Sequence, residues 1–109
     1  MNIDAAVIVL TTWPASADPA AFATSLVEER LAACVNLLPE MESVYRWQGR
    51  VDRERERQVI IKTTMARLEA LEQRIASLHP YEVPELLVLP VTGGAARYLE
   101  WITESTTDE

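Results

Sequence analysis

Cysteine, lysine and histidine each occur once in the 109-residue chain, as Cys34, Lys62 and His79. Cysteine and histidine are ligands of copper and zinc, and lysine supplies a positive charge. One cysteine and one histidine cannot provide the four ligands of a structural zinc site within one chain. A single cysteine also cannot form an internal disulfide, so we expect a reducing compartment.

A second set of residues could form a binding cleft. Lys62 follows an apolar run in a predicted strand, where an ammonium group needs a carboxylate partner. Tyr81 and Glu82 lie between two prolines, in a rigid connection of the kind that carries binding groups. Such groups could bind a small anion or transfer protons, and a structural ion pair at a subunit interface is the alternative interpretation. The residues predicted for this cleft, between subunits, are Trp47, Lys62, Tyr81, Glu82 and Glu85.

The charge balance argues against several classes of partner. The chain has 10 Lys and Arg against 17 Asp and Glu, a formal net charge of -7. This acidity argues against nonspecific binding to nucleic acid or to an anionic membrane surface. The longest apolar run near the start, residues 5–10, is too short for a signal segment or a membrane span. We therefore expect a cytoplasmic protein.

Four segments have the apolar runs or the period-two alternation of strands. They are residues 3–12, residues 33–38 continued to 47, residues 51–63 and residues 86–91, of which the first and the last are predicted to be buried. Pro39 interrupts the second strand and predicts an edge position or a bulge. Gln48 and Gly49 predict a tight turn into the third strand. In residues 52–57 acid and base alternate, so three arginines face one way and three acids the other, as a solvated or intersubunit charge face.

Three segments have the spacing of amphipathic helices. The first follows Ser16 or Asp18 as N-cap, the second begins near residue 65 with Thr64 as N-cap, and the third covers residues 95–103. In the third helix the inward-facing residues are predicted to be Tyr98, Leu99 and Ile102. The order β-α-β-β-α-β-α predicts an α+β fold: a ferredoxin-like βαββαβ sandwich with an extra C-terminal helix and a long central β-hairpin. We expect residues 1–109 to form a single domain of this kind.

The central hairpin is too long for a lone domain of this size. A 12-residue strand is about 40 Å long, whereas a compact globule of about 100 residues has a radius of gyration near 13 Å and a diameter of about 34 Å. The hairpin should therefore overhang the core, and another copy of the chain is the simplest cover for it.

Five segments resemble the CutA divalent-cation tolerance proteins, in order and spacing, over nearly the whole chain. They are residues 29–36, 43–49, 61–64, 79–85 and 98–102. The resemblance implies a ferredoxin-like homotrimer whose central hairpins reach across to neighbouring subunits. It also implies a role in tolerance to copper and other divalent metals. The architecture is similar to that of the trimeric PII signalling proteins, which bind small effectors in clefts between subunits.

The resemblance makes His79 and Cys34 the candidate metal ligands, for copper or another divalent metal ion. The alternatives are a small buried apolar role for Cys34, and for His79 a helix-terminal role bonding the last-turn carbonyls. Thr11 and Leu78 stand where some members have a further cysteine and a second histidine. We therefore expect metal binding to be weak or indirect.

The sequence contains no Gly-rich phosphate loop, nucleophile elbow or Cys-x-x-Cys motif. The prediction is a homotrimeric divalent-metal (copper) tolerance protein that is not an enzyme. The alternative is a PII-like trimeric sensor that holds a small anionic effector in intersubunit clefts through Lys62, Glu82 and His79.

Overall fold

The computed structural model describes residues 5–107, so the predicted start of the first strand at Ile3 lies outside the described residues. Its elements follow the predicted order. They are β1 Ala6–Pro14, α1 Ala20–Glu28, β2 Cys34–Trp47, β3 Arg50–Thr64, a 3₁₀ turn Met65–Arg67, α2 Leu68–Leu78, β4 Leu87–Pro90 and α3 Ala96–Ser105. Among these residues, no helix combines the length and apolar composition that a membrane crossing needs.

The four strands form one antiparallel sheet in the order β2-β3-β1-β4. This order, with α1 and α2 as the two crossovers, is the split βαβ arrangement. The predicted ferredoxin-like α+β fold with an additional C-terminal helix is therefore confirmed.

The hydrophobic core lies between the sheet and the helices α1 and α2. Alternate residues of β1 and β3 point into it, as in the directly paired Val9 and Ile61, which are both fully buried. Leu26 of α1 and Leu71 of α2 pack against this side of the sheet and are also fully buried. Each such side chain contributes about 1.5–3 kcal/mol by leaving water.

The other side of the sheet is called the open face here, because neither α1 nor α2 covers it. It carries residues of the opposite parity, which include Ile8, Leu10, Ile60, Lys62, Leu87 and Leu89. α3 lies against one end of this face, where Lys62 donates a hydrogen bond to Tyr98 and the hydroxyls of Thr64 and Thr106 bond each other. In the part of the chain that the structure describes, no helix covers the rest of the open face.

The central hairpin is long, as predicted. β2 and β3 have 14 and 15 residues, and the longest extent of the described chain is 43 Å against 27 and 23 Å. Gln48 and Gly49, with φ of 50° and 78°, form the two-residue turn with both residues in the left-handed region. Between Leu37 and Glu40 the pairing shifts, so Pro39 lies in a bulge on an edge strand, as predicted.

Three local predictions need correction. α2 is preceded by a 3₁₀ turn, and Thr64 is the last residue of β3 rather than a side-chain N-cap. β4 is exposed, with Leu87 at 56% of its maximal accessibility, because it is an edge strand whose open-face side meets no helix of this chain. Tyr98 of α3 is also exposed rather than inward-facing, because no other described helix covers this side of the sheet. Ile102 of the same helix is buried as predicted.

Candidate functional site

A groove of about 910 Å³ lies between the hairpin and the loop that follows α2. It is called the acidic groove here. Its carboxylates are Glu54, Glu56, Glu82 and Glu85, and its aromatic rings are Tyr45, Trp47 and Tyr81. No lysine, arginine or histidine is among the described residues that line it. The groove therefore offers negative charge beside aromatic surface.

Strand register explains why acids and aromatic rings share this side of the hairpin. Tyr45 pairs with Asp52 and Ser43 pairs with Glu54, and directly paired residues point to the same face. Arg53, Arg55 and Arg57 of β3 point the other way, where Arg55 bonds Glu40 at 2.8 Å and Arg53 lies 3.3 Å from Glu42. The predicted separation of the charge ladder into an arginine face and an acid face is confirmed.

The imidazole of His79 fixes the start of the loop that forms the other wall. Its Nε2–H donates to the carbonyl of Thr12 at 2.5 Å, and its Nδ1 accepts the backbone N–H of Tyr81 at 3.0 Å. A carbonyl can only accept and a backbone N–H can only donate, so this geometry requires the neutral tautomer with the proton on Nε2. His79 is 8% exposed. The centroid of its ring lies 4.9 Å from the centroid of the Trp13 ring and 4.9 Å from that of the Tyr81 ring.

Two side-chain hydrogen bonds attach the same loop to β3. The Tyr81 hydroxyl donates to Glu56 at 2.9 Å, and Glu56 is 8% exposed. The amide of Gln58 donates both to Glu85 at 3.0 Å and to the carbonyl of Thr11 at 2.7 Å. The loop is therefore positioned by side chains from β3 and from the loop itself, which begins at His79 directly after α2.

The pKa values of two tyrosines in the groove are raised, first by burial and then by nearby carboxylates. Burial raises the pKa of Tyr81 well above its ordinary value, and the hydrogen bond and charge of Glu56 raise it further. Burial is also the largest cause of the raised pKa of Tyr45, followed by the charges of Glu54, Asp52 and Glu56. A negatively charged phenolate is disfavoured in this environment, and a small anion would meet the same repulsion.

Lys62 lies at the other end of the open face. Its ammonium donates to the Tyr98 hydroxyl at 3.3 Å and lies 5.7 Å from the centre of that ring. Six residues of β3 separate it from Glu56, which is about 20 Å along a strand. One chain therefore gathers Trp47, Tyr81, Glu82 and Glu85 in the groove but not Lys62.

Cys34 and His79 do not meet within one chain. Cys34 is half-buried at the start of β2 and pairs with Lys62, whereas His79 contacts Thr12, which pairs with Gln58. Four residues along the sheet and two strands across place the backbone of Cys34 about 16 Å from that of Thr12. In residues 5–107 no group of three or more Cys, His, Asp and Glu side chains has the proximity for a metal site.

The metal-ligand prediction for these two residues therefore stays a prediction, and the geometry restricts its form. The single lone pair of neutral His79 is occupied by the Tyr81 N–H. Thr11 is fully buried and Leu78 packs against the core, so neither side chain adds a ligand to this pair. The residues do not fit one metal site shared by Cys34 and His79 of the same chain.

The sequence prediction did not include Glu54, Glu56 and Tyr45 in the cleft. The available signal was the alternation of residues 52–57 together with the face shared by Tyr45 and Trp47. Only the register of β2 against β3 shows that these two sets lie side by side.

Comparison with known proteins gives one consistent result. Residues 7–105 match a family model described as CutA1 divalent ion tolerance protein. A relative from Thermus thermophilus, the divalent-cation tolerance protein CutA, is 46% identical over 91% of this chain and 96% of its own. The chloroplastic protein CutA of Arabidopsis thaliana is 45% identical over 92% of this chain and 55% of its own. The solved structure of the divalent cation tolerance protein Cut A1 from Thermus thermophilus has a TM-score of 0.90 at 44% identity, covering 94% of this chain and 99% of that one.

Proposed function

The chain belongs to the CutA1 divalent ion tolerance family, and from that membership we propose that it is a homotrimeric divalent-metal tolerance protein. It binds copper or another divalent ion weakly or indirectly. The observation that carries this proposal is the similarity over nearly the whole chain to relatives named for divalent-cation tolerance. The role is non-enzymatic, and the location is the cytoplasm, where a single cysteine stays reduced.

The charge of the acidic groove supports attraction of cations. Four carboxylates line it without a base among the described lining residues, and the whole chain has a net charge of -7. Such a field raises the local concentration of divalent ions without needing a closed ligand shell. The groove therefore accounts for weak association better than for tight coordination.

Cys34 and His79 remain the proposed ligands with metal specificity, each at a separate position. The half-buried Cys34 thiol suits Cu(I), which prefers soft sulfur ligands. Nδ1 of His79 becomes available only when its hydrogen bond from Tyr81 opens, and this cost is consistent with weak binding.

Copper titration of four proteins tests these ligands. We expect Cys34→Ser to weaken Cu(I) binding under anaerobic reducing conditions, and His79→Gln to weaken Cu(II) binding, each by about tenfold for the loss of one ligand. Gln retains a donor and an acceptor at position 79, and Glu72→Gln on the exposed side of α2 is the matched control. If neither ligand variant differs from the control, both ligands are wrong.

The trimer is supported by the shape and the surface of one chain. The hairpin gives the described chain a 43 Å long axis, and the open face carries exposed Leu87 and Leu89. Light scattering at micromolar concentration should give three times the chain mass of 12.3 kDa. A mass of one chain would overturn the trimer.

The alternative function, a PII-like sensor of a small anionic effector, has the volume of the groove in its favour. Binding an anionic effector requires positive charge in the groove. The described lining residues of one chain supply none, because Lys62 lies outside the groove. Thermal-shift screening against nucleotides and other anionic metabolites tests it, and a library without any stabilising compound would count against it.

A further inference from the structure

We infer that Lys62 of one copy enters the acidic groove of the next copy, so that the copies associate head to tail. This inference rests on the proposed trimer and names the surfaces that meet in it. Lys62 is the one residue of the predicted cleft that lies outside the groove of its own chain. The inference places it in the groove of a neighbouring copy.

Lys62 lacks a counter-charge among residues 5–107. It is half-buried and it is the only lysine in the sequence. Within residues 5–107 its ammonium bonds the neutral hydroxyl of Tyr98 and has no carboxylate within 4 Å. A partly desolvated ammonium gains from a carboxylate partner, so this end of the open face is suited to an acidic surface.

The acidic groove lacks positive charge among the described residues that line it. Glu56 and Glu85 accept hydrogen bonds from neutral donors, Tyr81 and Gln58. Glu54 and Glu82 have neither a hydrogen bond nor an ion pair with any other described residue. Four carboxylates line the groove without a base among the described lining residues, and an ammonium group that enters it gains their attraction.

The two surfaces lie on the same side of the sheet and cannot meet within one chain. Lys62 and Glu56 have the same parity on β3 but stand about 20 Å apart along it. A contact between unlike ends of two copies leaves one free end on each copy, and such heterologous contacts close into a ring when the rotation from copy to copy completes a full turn. A threefold ring satisfies every Lys62 and every groove.

Apolar residues on and beside this face favour a protein partner over free ions. Leu89 pairs with Ile8, which pairs with Lys62, so an exposed leucine lies in the same row as the ammonium. Val83 on the groove loop is 64% exposed. A second copy would cover these side chains while it supplies the charge.

Zero-length cross-linking with a carbodiimide tests the contact directly. The reagent joins an amine to a carboxylate in contact with it, and the water lost in forming the amide converts the carbodiimide to a urea. We expect covalent dimers and trimers on a denaturing gel at micromolar concentration. Mass spectrometry should place the new bond between Nζ of Lys62 and one of the groove glutamates.

Two variants make the result specific. Lys62→Arg keeps the positive charge but offers no amine for coupling, so the cross-linked species should disappear while light scattering still gives a trimer. Lys62→Arg combined with Arg30→Lys moves the single lysine to an exposed site beyond α1, and it should also give no products between chains. The chain's α-amine also couples, and mass spectrometry separates its products from those of Lys62. A wild-type map in which products between chains come from the α-amine and none from Nζ of Lys62 would contradict the inference.

A charge exchange provides a second measurement. Lys62→Glu should weaken association by about tenfold or more, as expected when a paired charge becomes a repelling one. Adding Glu82→Lys should restore most of that loss. A trimer by light scattering with no Lys62–groove bond, or with bonds that stop at a dimer, overturns the head-to-tail contact and leaves the proposed trimer standing. A single-chain mass for the wild-type protein overturns both.

Discussion

Thr11 and Thr63 are fully buried threonines on the helix-facing side of the sheet, in adjacent strands. The hydroxyl of Thr63 donates to the carbonyl of Leu31 at 2.7 Å. The hydroxyl of Thr11 has no partner among the described residues. The same residue type therefore has opposite energetic roles at two similar positions, because a buried hydroxyl without a bond costs free energy.

Replacing each threonine by valine should separate these roles. Thr11→Val removes an unsatisfied hydroxyl and should raise the free energy of unfolding by about 1 kcal/mol. Thr63→Val leaves the Leu31 carbonyl without its donor and should lower that free energy by about 1–2 kcal/mol. Urea unfolding of both variants and the wild type at one protein concentration measures the two shifts. Equal shifts for both variants would contradict the assignment.

The position of His79 could be predicted from the sequence, but its hydrogen bond to β1 could not. Its position at the end of α2 follows from Pro80, because a helix ends before a proline. Its bond to the Thr12 carbonyl joins residues 67 positions apart in sequence, so no local pattern indicates it. The predicted alternative, a bond to the last-turn carbonyls, is wrong because the ring points to β1 instead.

At the scale of elements, the hairpin was the most predictable part of the fold. The alternation of residues 41–47, Pro39 and the Gln48-Gly49 turn are local signals, and each corresponds to an observed feature. The exposure of β4 was not predictable from its apolar run, since that run is equally typical of a strand covered on both sides. Whether Lys62 joins the groove depends on strand register and on other copies, which the sequence does not specify locally.

The turn itself gives a prediction for the hairpin. Both turn residues have positive φ, a conformation that asparagine followed by glycine adopts most readily. Gln48→Asn should therefore raise the free energy of unfolding by about 0.5 kcal/mol, and Gly49→Ala should lower it by about 1 kcal/mol. No atom lies within 4 Å of a Cβ added at position 49, so the expected loss reflects backbone conformation rather than a clash. Denaturant unfolding measures both values, and a neutral Gly49→Ala would contradict this explanation.

In the chain as a whole, one side of the sheet is largely uncovered. Helices α1 and α2 cover one side of the sheet. On the other side, among the described helices, only α3 lies against the sheet, at one end. The exposed leucines of β4, the acidic groove and Lys62 all belong to that second side, and Lys62 has no carboxylate partner among the described residues. In the proposed trimer, assembly decides how much negative charge stays accessible to cations, and the proposed role in metal tolerance depends on that charge.

The proposed trimer predicts that stability depends on protein concentration. When three folded chains associate and unfolded chains do not, each tenfold rise in concentration adds about 0.9 kcal/mol per chain to the free energy of unfolding. The denaturation midpoint of the wild-type protein should therefore rise steadily between about 1 and 100 μM chain. Lys62→Glu should shift this dependence to higher concentrations, since it weakens association without altering the helix-facing core, whereas Glu72→Gln should follow the wild type. A midpoint that does not change over this range would mean that each chain is stable alone and that its open face tolerates water.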